Sequence, residues 1–94
     1  MAADEVGERH LELLGVLDGL AKNDPDGVAH MDRAAQGMGL DTVTREADRQ
    51  EFEQLVSVLE EAGYVQAQGT DLATSYGMLS VTEEGQRRLE ERGA

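Results

Sequence analysis

Residues 52–67, FEQLVSVLEEAGYVQA, carry the pattern that decides the fold. The apolar residues of the first half recur at the spacing of one face of an α-helix. They are Phe52, Leu55, Val56 and Leu59. Gly63 follows, and a glycine at this position commonly ends a helix. Residues 64–67 then have the composition of a β-strand, so the segment predicts a helix that leads directly into a strand. Two starts are open for this third helix: Thr44, or Asp48 with Glu51 as a capping-box analogue.

Two more helices are predicted on the N-terminal side. The first covers about residues 4 to 22 and stops at the turn 24–27, which has Pro25 and Gly27 in favourable positions. Its apolar face consists of Val6, His10, Leu13, Leu14, Leu17, Leu20 and Ala21. Residues 28–30 form a short extended stretch. A second helix over about 31–38 follows, with Asp32 as a candidate cap and glycines at its end.

The C-terminal side predicts a returning strand and a last helix. Residues 78–81 complete a hairpin whose long connection covers 68–77. Thr82 precedes two glutamates, which is typical of an N-cap followed by acids in the first turn. The helix runs to about Arg92, and Leu89 is its clearest core residue.

Composition excludes several classes of protein. The 94 residues are expected to form one domain, 1–94, with one modest core. The sequence has no cysteine, no long apolar run and no basic, apolar start, so we expect a cytoplasmic protein without a membrane span. No phosphate-binding loop or nucleophile motif occurs, and His10 and His30 are not at metal-ligand spacing. We therefore expect no enzyme activity, small-molecule substrate, cofactor or metal, and interpret His10 as a residue at the edge of the core.

The order of these elements resembles a winged helix-turn-helix domain. Residues 34–40 are similar to the second helix and turn of such domains, and residues 55–65 to the third helix as it enters the wing. Residues 79–89 are similar to the second wing strand and the following helix of MarR-like and PadR-like regulators. The resemblance implies an α+β, mostly helical fold, with a three-helix core, a β-hairpin wing and a C-terminal helix.

The same resemblance implies binding to double-stranded DNA and control of transcription. In such domains the third helix enters the major groove and the wing contacts the backbone. Arg45, Arg49 and Gln54 are the residues that would contact DNA here.

The charge favours a different partner. Twenty acidic and eight basic residues give a net charge of −12, and residues 66–78 of the wing contain no lysine or arginine. Affinity for DNA depends largely on cations that replace counterions on the phosphates. We therefore expect a non-catalytic regulatory module that binds a protein partner, in its extreme form as a DNA mimic. A DNA-binding regulator is the alternative, and a high-salt source would also explain the acidity.

Three sets of residues are candidates for partner contacts. Arg87 and Arg88, with Arg92, form the one basic cluster, which is either an ion-pair lattice with neighbouring glutamates or a binding patch. Tyr76 and Leu72 in the hairpin connection either anchor a protein contact or fold back onto the domain. Leu11, Gly15 and Gly19 of the first helix would form a small second surface. Helices one and four are where a homodimer would form, and a monomer is the alternative.

Overall fold

Helices dominate the structure, a computed structural model that describes residues 6–25, 27–68 and 78–93. In these ranges the elements are α1 (Glu8–Lys22), β1 (Ala29–His30), α2 (Met31–Gly37), α3 (Glu46–Glu61), β2 (Val65–Gln68), β3 (Met78–Val81) and α4 (Glu83–Gly93). The strands form one antiparallel sheet in the order β1-β3-β2, in which Ala29 and Ala67 both pair with Leu79. The predicted α+β, mostly helical class is confirmed.

The core lies around α1, which contacts the other three helices and the strands β1 and β3. Its leucines meet the apolar side chains of α3 and β3. The large side chains that are almost completely buried are Phe52, Leu13, Leu14, Leu17, Leu59 and Leu79. The predicted apolar face of helix three is confirmed, because all four of its residues are buried.

The first helix differs from its prediction at its start and on one face. It begins at Glu8, and the Gly7 N–H donates to Nδ1 of His10 at 3.0 Å. His10 is thus a half-buried capping residue. The predicted second surface is wrong: Leu11 is 5% exposed within the core cluster, and Gly15 faces Leu89 of α4. Only Gly19 of that set is exposed.

Three predicted helix caps are wrong. His30 precedes α2, and Asp32 lies in the first turn, where its Oδ1 accepts the N–H of Arg33 at 2.9 Å. The helix α3 begins at Glu46, after Arg45, so neither Thr44 nor Asp48 is its cap. Both of those side chains instead bond Asp41: Thr44 donates its hydroxyl to the Asp41 carboxylate, and Asp48 accepts the Asp41 N–H.

The predicted cap of the last helix is confirmed. Thr82 Oγ1 accepts the N–H of Gly85 at 3.1 Å and donates to the carbonyl of Gly63 at 2.6 Å. The Thr82 N–H also donates to the carbonyl of Tyr64 at 3.0 Å. One threonine therefore joins the start of α4 to the end of α3, where Gly63 has the positive φ of 81° that ends the helix.

Candidate functional site

The exposed side of α3 carries most of the residues predicted to contact DNA. Helical periodicity places one row directly opposite the buried apolar face. This row, called the outer ridge, consists of Gln50, Gln54, Ser57 and Glu61, all exposed. Three of its four side chains are uncharged. The predicted contact residue Gln54 lies at its centre.

Carboxylates lie on both sides of the outer ridge. On one side Glu46, Glu53 and Glu60 recur every seven residues, and Glu51 lies on the other. The sixteen residues of α3 include six acids and a single base. A ligand that contacts the outer ridge therefore meets a helix of net negative charge.

The two predicted DNA-contact arginines lie at the start of α3, among acids. Arg49 Nε lies 3.4 Å from Glu53 Oε2, one turn further along the helix. Arg45 is exposed at the N-cap position and lies close enough to Asp41 to help stabilise its carboxylate. The charge of Arg49 is thus compensated within the helix.

A third arginine joins α1 to the acidic flank of α3. Arg9 donates to Glu51 Oε2 from Nη2 at 2.9 Å and from Nε at 3.2 Å, and its Nη1 lies 3.3 Å from Glu12. The hydrogen bonds to Glu51 raise the pKa of Arg9. Arg9 is thus paired with two carboxylates, in ion pairs that are exposed to solvent.

The turn between α2 and α3 forms a second feature that sequence reasoning missed. The Asp41 carboxylate accepts the N–H groups of Val43 and Thr44, each at 3.1 Å, and the Thr44 hydroxyl. These bonds, the Thr44 hydroxyl first, lower the pKa of Asp41. Val43, two residues after Asp41, is 83% exposed. In the sequence, a valine among polar residues gave no signal of its exposure.

A cleft of about 420 Å³ opens beside this turn, and we call it the turn cleft. Its walls come from the exposed side of α2 and from the turn itself. The lining residues are Asp32, Gln36, Gly39, Leu40, Asp41, Thr42 and Val43.

The basic cluster of α4 forms the predicted lattice only in part. Arg87 Nη1 lies 3.2 Å from Glu84 of the same helix. Arg92, however, donates from Nε to Glu8 of α1 at 3.0 Å, so this arginine ties two helices together. Arg88 is half-buried. The candidate contacts Tyr76 and Leu72 lie outside the described residues.

Metal binding has no candidate centre in the described ranges. No group of three or more histidines, carboxylates or cysteines is placed there to hold a metal ion. No helix in the same ranges is long and apolar enough to cross a membrane. No protein-family model, curated protein or solved structure matches this chain.

Proposed function

We propose that this chain is a winged helix-turn-helix domain. The order of elements supports the proposal: a helix, a short strand, two helices joined by residues 38–45, an antiparallel pair of strands and a last helix. The short strand β1 adds to the free side of β3, which gives the sheet order β1-β3-β2. In this assignment α3 is the recognition helix and β2 and β3 begin the wing.

The proposed function is that of a non-catalytic regulatory module whose α3 side binds a protein partner. The observation that carries it is the pairing of the cations there: Arg49 is paired with Glu53, and Arg9 is paired with Glu51. Phosphate binding needs cations that are available to replace counterions. The net negative charge of α3 repels phosphates and attracts a partner rich in lysine and arginine. A partner that itself binds DNA would meet the carboxylates of α3 in place of phosphates.

The composition of the outer ridge favours one alternative, a DNA-binding regulator. Gln50 and Gln54 are exposed, one turn apart and uncharged, and a glutamine can pair with the N6 and N7 edge of adenine. In the described part of the chain Arg45 has no carboxylate within ion-pair distance, so its charge would be available to a phosphate.

Site-specific photocrosslinking in the cells that make the protein separates the two functions. A photoreactive amino acid replaces Gln54 on the outer ridge, and Gln86, exposed on α4, serves as the matched control position. We expect a nuclease-resistant adduct with one protein from position 54 and none from position 86. A nuclease-sensitive adduct at 54 would establish the DNA-binding alternative, and the lack of any adduct at 54 would rule out α3 as the contact.

A further inference from the structure

The turn cleft combines an exposed apolar side chain with a fixed backbone. Val43 is the large apolar residue that the described part of the chain leaves exposed, at 83%. Burial of a valine is favourable, and the other valines, leucines and methionines of the described ranges are buried or half-buried. Val43 therefore places an apolar side chain on the rim of the cleft, where a partner can cover it.

The backbone around Val43 is held before any partner arrives. Asp41 accepts the N–H groups of Val43 and Thr44, and Thr42 is buried beneath the turn at 6% exposure. Because the turn is fixed, a partner would lose little free energy in ordering it.

The charge of the cleft defines the chemistry of its occupant. Asp32 and Asp41 supply two carboxylates, and Gln36 adds a polar side chain. No lysine or arginine lines the cleft. The nearest arginines in sequence are Arg33, which follows Asp32, and Arg45, which follows Thr44. A second copy of the chain, also at −12, would be repelled from this surface.

We propose that the turn cleft docks a basic segment of a protein partner that also presents an apolar side chain. The cation lies against Asp32 and Asp41, and the apolar group covers Val43. The proposal rests on the proposed function, because it names the chemistry of the protein partner and the surface next to α3 that receives it.

The test is an NMR titration of the isotope-labelled full chain with a synthetic probe. The probe is a short glycine–serine peptide with two arginines and two leucines, and the control peptide has serines in place of the leucines. We expect the probe to shift the amides of residues 39–44, and the control peptide to bind about tenfold more weakly. Val43→Ser should weaken probe binding by a similar factor because it removes the apolar side chain. The turn itself should persist, since Asp41 holds it through the Val43 N–H. Ala47→Ser, at an exposed position of α3, should leave the affinity unchanged.

Three results would overturn the proposal. Equal affinity for the two peptides would show that the leucines contribute nothing and that binding is only the attraction of a cationic peptide to an acidic protein. An unchanged affinity of the probe for Val43→Ser would show that no apolar contact with Val43 forms. Shifts of the same amides on dilution of the free chain would show that a second copy covers the cleft. If crosslinking at position 54 instead identifies DNA while the Val43-dependent peptide binding persists, the proposed function fails and the docking site stands.

Discussion

Replacement of Gly85 by alanine tests the joint between α4 and the end of α3. A Cβ at this position would collide with the carbonyl oxygen of Tyr64 and would lie 3.1 Å from its carbonyl carbon. It would also lie 2.9 Å from Cγ1 of Val81. No side-chain rotation relieves contacts with backbone atoms, so α4 must move away from the carbonyl that also accepts the Thr82 N–H.

The expected loss of stability follows from two opposed terms. Overpacking costs about 1–3 kcal/mol, and contacts with backbone atoms favour the upper end of that range. Alanine returns about 1 kcal/mol through its higher helix propensity. The net destabilisation is therefore about 2 kcal/mol, which lowers Tm by roughly 8–16 °C in a domain of this size.

The same substitution at Gly19 is the matched control. Gly19 lies in α1 and is exposed, and a Cβ there meets no heavy atom within 4 Å in the part of the chain that the structure covers. Gly19→Ala should therefore stabilise the protein by about 1 kcal/mol. Urea denaturation followed by circular dichroism measures both variants. If both substitutions stabilise the protein equally, α4 does not pack against Tyr64 as described.

Three further predictions concern the cap, the core and the α2–α3 turn. Thr82→Ala should cost about 1 kcal/mol in urea denaturation because α4 loses its cap, and Thr82→Ser, which keeps the hydroxyl, should cost clearly less. Phe52→Ala should cost about 3–5 kcal/mol, a large share of the stability of a small domain, and a melt that changes little would contradict its burial. Because the pKa of Asp41 is lowered, its contribution to stability is present above the pKa of the unfolded carboxyl, about 3.9, and is lost as pH falls through the lower folded value. The stability difference between wild type and Asp41→Asn should therefore shrink in acid, and NMR titration of the Asp41 carboxyl should show a midpoint below that of a free aspartate.

The spacing of apolar residues predicted helices and strands well where one face of the element packs against the core. The apolar face of α3 and the strand 78–81 are found where the sequence placed them. The strand β2 begins one residue later than predicted, at Val65. A strand and a helix each repeat their apolar residues at a fixed interval when one face meets the core, so this information is local.

Helix starts were harder to predict because several side chains compete for them. Thr44 and Asp48 both have the chemistry of a cap, yet Asp41 bonds both and leaves Arg45 at the start of α3. Local rules rank residue types but do not decide which backbone N–H a given side chain reaches. Thr82 was predicted correctly because it directly precedes the helix, whereas Ser80, the other capping residue type nearby, lies within the strand β3.

In the candidate site, local contacts could be predicted from the sequence, and contacts between distant segments could not. The exposure of Arg49 and Gln54 followed from helical spacing, and the pair Arg49–Glu53 is an i, i+4 contact that spacing also allows. The pairs Arg9–Glu51 and Arg92–Glu8 join distant segments, so only the packing of α1 against α3 and α4 brings them together.

Binding of duplex DNA is the most direct test of the claim that α3 serves a protein partner. The measurement is the fluorescence anisotropy of a labelled mixed-sequence duplex, titrated with the protein at about 50 mM salt, where electrostatic affinity is strong. We predict no binding below about 100 μM, with Arg45→Ala and Arg49→Ala indistinguishable from wild type. Micromolar binding that weakens steeply with salt, and that either arginine substitution abolishes, would contradict the account.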